Sequence, residues 1–449
     1  MQVDPKSAPF SYDLPREFAA AMVGMAVGES ARLAVAVSGG ADSMALVLLL
    51  AGWARSRGAN IYALTVDHGL REAAANEATQ VSAWLTPRRI AHTVLRWQEG
   101  PSYRHLQASA QSAAREARYD LMTRWCRANA YTHLFLAHHA DDQAETFLLR
   151  LARGSGVDGL GAMASITSRD GVCLARPLLA IPKARLIAYC EEIGQPWIED
   201  PSNGDPVYGR VRMRGARQAL EREGLTGDRL LTTATHMRRA RAALDHYVEA
   251  LLDQACAWDR FGVARLSLER LLGAPEEVGL RALASLLMSV SGQIYRPRFE
   301  RLSRLYESLS AGPWRDATLH GCFMTRSGGS LMIAREAAQI ADERILHPGD
   351  TALWDGRFEI SAESPGEALR LRRLLQRDVS ADLRRTAAWS ELPVFARDTL
   401  PALFDSRGLA AVPPLGYLRP DLTEEPSLRF TAVFVGRRGA HARDDDAEL

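Results

Sequence analysis

The sequence predicts an α/β fold in which a doubly wound parallel sheet is followed by a helical domain and a small mixed carboxyl-terminal domain. Over residues 32 to 200, apolar segments of strand length alternate with longer segments of helical length. After about residue 215 helix follows helix, and from about residue 344 short strands dominate. The chain has 449 residues, more than one hydrophobic core accommodates, so several domains are expected.

We expect domains over residues 1–217, 218–343 and 344–449. Five strands are predicted in the first: Leu33 to Val37, Ile61 to Val66, His92 to Leu95, His133 to Ala137 and Val172 to Ala175. Five helices are predicted to alternate with them: Ser43 to Arg57, Glu72 to Leu85, Leu106 to Asn129, Asp142 to Arg153 and Lys183 to Ile193. Right-handed crossovers bring the carboxyl ends of such strands to one edge, where open α/β sheets bind ligands.

The later part of the chain has a different pattern. Its main helices are predicted over Leu230 to Cys256, Pro275 to Ser291 and Arg298 to Ser310. A hairpin is predicted from Ala317 to Ala334, turning at Ser327-Gly328-Gly329-Ser330, and the later strands over Leu353 to Ile360, Ala402 to Ala411 and Arg429 to Val435. The acidic tail from His441 to Leu449 is predicted to be disordered.

Composition excludes several classes of protein. With 47% apolar and 24% charged residues, the chain has the composition of an ordinary soluble protein. The apolar stretch from Met44 to Ala54 is too short to span a membrane, and the first thirty residues lack the pattern of a secretory signal, so a cytoplasmic location is expected. The five cysteines form no CxxC pair.

The net charge is only +1, so attraction of nucleic acid requires local clusters of charge. Nine arginines and three acids lie between Arg210 and Arg241, and six arginines and two acids between Arg370 and Arg385. Such clusters occur both on surfaces that contact RNA and on solvated helices, and composition alone does not decide between the two.

The strongest motif is a glycine loop between an apolar strand and an apolar helix. It consists of Ser38, Gly39, Gly40, Ala41, Asp42 and Ser43. Glycines allow a tight turn, and the amino end of the following helix attracts an anion, so this loop is expected to bind phosphates. The loop lacks the Gly-Lys-Ser/Thr of a Walker A motif. The similar Ser327-Gly328-Gly329-Ser330 lacks an aspartate and a following helix, and it is interpreted as a turn.

Two further motifs stand at predicted strand ends. Asp67 and His68 end the second strand, and this pair alone indicates little. In the run from His138 to Thr146, Asp142 and Glu145 are three residues apart and share one helical face. Paired carboxylates there suit binding of Mg²⁺, anchoring of an amino group or acceptance of a proton, although an aspartate at a helix start is also a common cap.

These segments together resemble the lysidine synthase family of the PP-loop ATP pyrophosphatase superfamily, whose fold is described as adenine nucleotide alpha hydrolase-like. The resemblance rests on SGGADS, VDHGLR from Val66 to Arg71, ARxxRY from Ala114 to Tyr119, and HHADDQAETFLLRLARGSG from His138 to Gly156. It covers about residues 30 to 217 with specific motifs and continues more weakly beyond them. One departure is Arg210-Val211, where the family usually has arginine and asparagine.

The resemblance implies that ATP adenylates the wobble cytidine of an isoleucine tRNA with a CAU anticodon and that free L-lysine then displaces AMP. It implies ATP binding by the loop with Asp67 and His68, and binding of Mg²⁺ by Asp42 and Asp142. Lysine binding is expected at Asp142 and Glu145, which together with Arg115 form the catalytic set. Contact with tRNA is expected at Arg210, Arg212 and Arg214.

Two alternatives remain at this point: a PP-loop enzyme that thiolates tRNA, and a non-enzymatic RNA-binding protein on the same fold. The lack of CxxC is unfavourable to the first, and the carboxylates beside an intact loop are unfavourable to the second. No interaction with a membrane is expected. The sequence leaves open whether the protein forms a homodimer.

Overall fold

The computed structural model describes residues 13–69, 73–98, 107–199, 209–311, 314–363, 368–422 and 429–435. The chain divides into two compact units, Met1–Arg241 and Ala242–Arg443. The predicted boundaries at residues 217 and 343 stay predictions, and the tail from His441 to Leu449 lies outside the described residues. None of the described helices has the length and apolar character needed to cross a membrane.

The first unit contains a six-stranded sheet in the order β3-β2-β1-β4-β6-β5. Its strands are β1 (Leu33–Ala36), β2 (Ile61–Asp67), β3 (Ala91–Arg96), β4 (His133–Phe135), β5 (Ile166–Arg169) and β6 (Val172–Ala175). The first four and β6 pair in parallel, and β5 is an antiparallel edge strand. The predicted parallel sheet is confirmed, and β5 is an addition to it.

Helices lie on both faces of this sheet. The helices up to residue 255 are α1 (Leu14–Val23), α2 (Ala41–Arg55), α3 (Ala73–Leu85), α4 (Gln107–Ala128), α5 (Ala140–Ala152), α6 (Val157–Leu160), α7 (Lys183–Glu192), α8 (Gly209–Arg222) and α9 (Gly227–Ala255), of which α9 ends in the second unit. Successive residues of β1 point to opposite faces: Leu33 and Val35 join the core under α1, α2 and α7, while Ala34 joins the core under α4. The sheet is therefore doubly wound, as predicted.

The second unit combines three helices with a five-stranded sheet of order β7-β8-β11-β10-β9. Its elements are β7 (Cys256–Trp258), β8 (Ala264–Ser267), α10 (Leu268–Gly273), α11 (Glu276–Ser291), α12 (Phe299–Ser310), β9 (Ala317–Leu319), β10 (Cys322–Ser327) and β11 (Ser330–Arg335). Strands β10 and β11 pair from Cys322 with Arg335 to Ser327 with Ser330, so the second Ser-Gly-Gly-Ser segment is the turn of a hairpin, as predicted.

Two small sheets follow in the same unit, β12-β15-β16-β17-β18 and β13-β14-β19. Their elements are β12 (Arg344–Leu346), β13 (Thr351–Trp354), β14 (Phe358–Glu363), β15 (Leu369–Arg373), α13 (Ala381–Arg384), α14 (Ala387–Glu391), β16 (Pro401–Asp405), β17 (Gly408–Val412), β18 (Tyr417–Leu418) and β19 (Arg429–Phe434). The predictions of single strands over Leu353 to Ile360 and Ala402 to Ala411 were wrong, because each segment turns midway into a hairpin.

Candidate active site

The candidate site lies where the chain changes direction across the first sheet. From β1 the chain continues to β2 and β3 on one side, and it later returns to β4 and β6 on the other. The carboxyl ends of β1 and β4 consequently flank the crevice in which open α/β sheets bind ligands. The loop from Ser38 to Ser43 follows β1, and the run that begins at His138 follows β4.

The glycine loop has a conformation that only glycine adopts without strain at its second position. Gly39 has a φ of +92°, and a Cβ there would lie 2.7 Å from Ile198 Cδ1 and 3.0 Å from Val81 Cγ2. The Gly39 carbonyl accepts a hydrogen bond of 2.9 Å from the Ile198 backbone N–H. Ile198 thus packs against the loop and stabilises its conformation.

The Ser43 hydroxyl stabilises the loop by hydrogen bonds to its backbone. It accepts hydrogen bonds from the backbone N–H groups of Ser38 at 3.2 Å and Gly39 at 3.1 Å, and it donates to the Gly40 carbonyl at 3.0 Å. The first helical hydrogen bond of α2 runs from Met44 N to Gly40 O at 3.0 Å. The backbone amides of residues 41–43 therefore have no acceptor within the helix, which is the usual arrangement for binding an anion.

Two basic side chains, His139 and Lys183, face the carboxylate of Asp42. Its Oδ2 lies 3.5 Å from His139 Nε2 and 3.4 Å from Lys183 Nζ. Buried His139 also lies 3.4 Å from Asp142 Oδ2 and 3.7 Å from Asp141 Oδ2. Burial alone would raise the pKa of Asp42, but His139 and Lys183 outweigh it and hold the pKa below its usual value. Burial would likewise lower the pKa of His139, but the three aspartates raise it.

Lys183 and His139 were not among the predicted site residues. The signal for Lys183 was its rarity, since Lys6 is the only other lysine in the sequence. For His139 the signal was the pair of adjacent histidines, His138-His139. In the structure His139 is buried and His138 is half-buried. The pairing of either residue with Asp42 depends on the fold.

Most polar residues of the long motif on α5 are held by internal hydrogen bonds. Asp142 accepts the backbone N–H of His139 at 3.0 Å, which caps α5. Gln143 exchanges two hydrogen bonds with the Met163 backbone, at 2.7 and 2.8 Å. Glu145 lies on the same helix and is buried. Asp42, Asp141, Asp142, His139 and Lys183 together form an ionic cluster. Asp142 is thus both a helix cap and a member of this cluster.

The residues predicted at the end of β2 and on α4 show unsatisfied polar atoms. Burial, together with the charge of Arg118, lowers the pKa of His68 to about 4, so its imidazole is neutral at pH 7. Within the described part of the chain, His68 Nδ1 and Arg115 Nε and Nη2 are buried without a hydrogen-bond partner. Asp67 accepts the backbone N–H of Gly69 at 2.9 Å. Buried donors without partners are typical of ligand-facing groups.

The predicted tRNA-binding side chains of Arg210, Arg212 and Arg214 lie outside what the structure describes. The backbone of these residues forms the start of α8, and α8 lies against α5. The structure therefore places this helix beside the helix that carries Asp142 and Glu145.

Metal binding was predicted at Asp42 and Asp142. In the described segments, no three or more His, Cys, Asp or Glu side chains are grouped so that they could hold a metal ion by themselves. Asp42 Oδ1, however, is buried and has no hydrogen-bond partner among these residues. Mg²⁺ is commonly held by one or two carboxylates together with substrate phosphates, and a single free carboxylate oxygen beside a phosphate loop fits that pattern.

The sheet, the glycine loop and the ionic cluster define a nucleotide-binding α/β domain of the PP-loop class. Residues 14–219 match the family model described as a PP-loop domain. The predicted superfamily is thereby confirmed.

The chain is also similar over most of its length to named proteins from several bacteria. It is 36% identical over 331 residues to a tRNA(Ile)-lysidine synthase of Wolbachia sp. subsp. Brugia malayi, which covers 73% of this chain and 76% of the relative. A tRNA(Ile)-lysidine synthase of Ruegeria pomeroyi is 38% identical over 327 residues, with the same shares of the two chains. One from Methylobacterium nodulans is 40% identical over 317 residues, which is 69% of this chain and 91% of the relative.

The chain belongs to the tRNA(Ile)-lysidine synthase family, and it is an enzyme of the ATP-using PP-loop class. The resemblance stated from the sequence motifs is confirmed.

Proposed function

We propose that the protein joins lysine to carbon 2 of the wobble cytidine of tRNA(Ile) with a CAU anticodon. The cytidine is first adenylated by ATP with release of pyrophosphate, and lysine then displaces AMP to give lysidine. The observation that carries this proposal is the meeting of the phosphate loop and the carboxylate helix α5 at the ends of β1 and β4, in a chain of this family.

The loop residues and their neighbours account for ATP binding. We assign the amides at the start of α2 as donors for phosphate oxygens, together with the hydroxyl of Ser38, which donates to Ser43 Oγ at 3.2 Å in the structure. The hydroxyl of Ser43 holds the loop in shape. Neutral His68, with its buried Nδ1, is a donor or acceptor suited to the nucleotide. We assign Asp67 to the same role through its position at the end of β2.

Mg²⁺ would be held by Asp42 Oδ1 and by Asp142, and it would supply positive charge at the leaving pyrophosphate. Asp42 is kept ionised by His139 and Lys183, so its free oxygen carries negative charge for such a cation.

Asp142 and Glu145 are the proposed lysine-binding residues. A buried carboxylate such as Glu145 is a strong partner for a cationic amine, because charge-assisted hydrogen bonds strengthen where water is excluded. The same carboxylates accept a proton when the amine has to become neutral to attack. Arg115, with two side-chain nitrogens that have no hydrogen-bond partner in the described part of the chain, is proposed to stabilise charge on the departing AMP phosphate.

Contact with tRNA is proposed for Arg210, Arg212 and Arg214, because their helix lies beside α5. Arg212→Ala should weaken tRNA binding and reduce the slope of log K against log salt by about one, as loss of one phosphate contact does. A slope equal to that of the wild-type protein would favour the solvated-helix interpretation.

The thiolation alternative is weakened by the cysteines themselves. Burial raises the pKa of Cys126 and Cys322 to about 12 and that of Cys190 to about 11. Burial also raises the pKa of Cys173. These thiols stay protonated at neutral pH and are poor nucleophiles.

The decisive experiment is mass spectrometry of nucleosides from tRNA(Ile) with a CAU anticodon after incubation with ATP and lysine. Lysidine should appear only when all three substrates are present. Exchange of pyrophosphate into ATP in the presence of tRNA but without lysine should report the first step alone. An RNA-binding protein without catalysis would show neither signal. A cytoplasmic location and the absence of membrane binding remain predictions, and the sequence leaves open whether the protein forms a homodimer.

A further inference from the structure

Lys183 is a basic residue at the phosphate loop to which the function proposed above assigns no contact with a substrate. It is the first residue of α7, and its ammonium group lies 3.4 Å from Asp42 Oδ2. The side chain of Lys183 is 39% exposed to solvent, so the ion pair with Asp42 is only partly buried.

The position of Lys183 is set by its backbone and not by the ion pair. Its backbone N–H donates to Asp141 Oδ2 at 2.9 Å, and Ala140 N donates to the Ile181 carbonyl at 3.0 Å. These two bonds join the start of α7 to the start of α5. Further along α7, the Cys190 thiol donates to the Ala41 carbonyl at 3.5 Å and ties the helix to the start of α2.

The ion pair with Asp42 leaves the ammonium group available. A separation of 3.4 Å exceeds the 2.7–2.9 Å of a strong charge-assisted N–H···O bond. An ammonium group has three donors, and partly exposed pairs of this kind contribute little to stability. A phosphate group entering between the loop and α7 would offer more negative charge and more oxygen acceptors than one carboxylate.

We propose that Lys183 binds the β- or γ-phosphate of ATP and the pyrophosphate product, exchanging its contact with Asp42 for a phosphate oxygen. Asp141 acts as the positioning residue that holds Lys183 at the loop. The inference rests on the ATP step of the proposed function and is independent of the identity of the RNA and of the amino acid.

The test is isothermal titration of inorganic pyrophosphate, ATP and AMP at fixed Mg²⁺ and ionic strength, without tRNA or lysine. Lys183→Ala should lower the affinity for pyrophosphate and ATP by about tenfold to hundredfold, which is the scale of one charge-assisted contact. The affinity for AMP should fall by less than about twofold. Lys183→Arg should recover most of the affinity. Arg185→Ala is the matched control, because Arg185 lies on the same helix but pairs with Glu17.

Wild-type affinity of Lys183→Ala for pyrophosphate and ATP would overturn the inference. An equal loss for AMP would also overturn it, since that pattern indicates a distorted loop. If the alanine variant does not fold, Lys183→Gln takes its place, with thermal unfolding measured beside each titration. If the wild-type protein binds neither pyrophosphate nor ATP, the inference falls with the ATP step.

The inference and the proposed function fail separately. Loss of pyrophosphate affinity in Lys183→Ala without any formation of lysidine by the wild-type protein would leave the inference standing and refute the function. Formation of lysidine with an unchanged pyrophosphate affinity in the variant would do the reverse.

Discussion

Two aspartates in this protein each have two basic side chains as neighbours, yet they differ in how many hydrogen bonds their oxygens accept. Asp355, between β13 and β14, receives Arg335 Nε at 3.0 Å and Nη2 at 3.1 Å, and Arg357 Nε at 2.7 Å. Asp42 has His139 and Lys183 at 3.5 and 3.4 Å on one oxygen, while its other oxygen is buried without a hydrogen-bond partner in the described residues.

The difference separates a carboxylate with a structural role from one with an oxygen to which the described residues donate no hydrogen bond. Both oxygens of Asp355 are bonded, its side chain is only 9% exposed, and Arg357 beside it is fully buried. The carboxylate of Asp355 thus links the turn between β13 and β14 to Arg335 of β11, which is a structural role. Asp42 has long contacts and a spare acceptor, so it can bind a ligand without breaking the fold.

The largest effect is expected for Asp355→Ala. Removing this carboxylate leaves Arg335 and Arg357 as buried charges without their common partner, which should lower the free energy of unfolding by about 3 to 5 kcal/mol. Burial already lowers the pKa of Arg357 to about 10, and Asp355 makes the largest contribution that opposes this shift. Urea unfolding measures the loss.

Asp382→Asn is the control for that measurement, because both partners in its pair with Arg385 are exposed and the change should leave stability within about 0.5 kcal/mol. An equal loss of stability in the two variants would show that Asp355 contributes no more to folding than an exposed aspartate does.

Asp42→Asn should act on ligand binding instead of folding. Its affinity for ATP in Mg²⁺ should fall by about a hundredfold, on the scale of one lost charge-assisted contact. In EDTA the variant should bind ATP at least as well as the wild-type protein, because a negative charge near the phosphates has been removed.

Titrations with and without Mg²⁺ check this prediction, and Asp228→Asn, an exposed carboxylate at the start of α9, is the control. If binding falls equally in Mg²⁺ and in EDTA, Asp42 is not a metal ligand.

Glu145→Gln should separate capture of the amino acid from binding of the nucleotide. Loss of one charge-assisted bond should weaken the apparent affinity for lysine by about tenfold to hundredfold, with a smaller change for ATP. Steady-state kinetics with varied lysine and varied ATP measure the two affinities. Exposed Glu192 on α7 supplies the control variant Glu192→Gln. A collapse of ATP affinity with an unchanged dependence on lysine would make Glu145 a nucleotide or metal ligand.

The smallest effect concerns pH. Because the pKa of His68 is lowered from 6.5 to about 4, the folded protein binds this proton less readily than the unfolded chain. The contribution of His68 to stability is therefore complete above pH 6.5 and declines as the pH falls towards 4. NMR titration of the imidazole, assigned with His68→Gln, should show a midpoint near 4. A midpoint near the ordinary value would place His68 in water and away from the nucleotide.

The sequence was most informative where local pattern and tertiary fold agree. Strand Val172 to Ala175 was predicted with its observed bounds, and α2 follows the glycine loop because a continuous apolar run needs a buried helix. Strand β5 was missed because Ile166-Thr167-Ser168-Arg169 has too few apolar residues to stand out. The turn at Asp355-Gly356 was overlooked, although positive φ angles of 48° and 65° suit this dipeptide.

The site was predicted less completely than the fold. Its loop and α5 carry motifs that are contiguous in sequence, so Asp42, Asp142 and Glu145 could be named from them, and their roles stay predictions. Lys183 reaches Asp42 only because helix α7 begins beside α5, and no local pattern reports a contact between segments so far apart. The closed bonding of Asp355 likewise depends on Arg335 from another strand.

The hydroxyl of Ser43 reduces the entropy that the phosphate loop would lose on binding ATP. Ordering a backbone segment costs about 1–2 kcal/mol per residue, and a flexible phosphate loop would lose that much of its binding free energy whenever a ligand arrived. Here Ser38, Gly39 and Gly40 are already tied to Ser43 before any nucleotide is present. The loop therefore loses its conformational entropy during folding. Little further entropy is lost when ATP binds, so the contacts with ATP contribute almost fully to the free energy of binding.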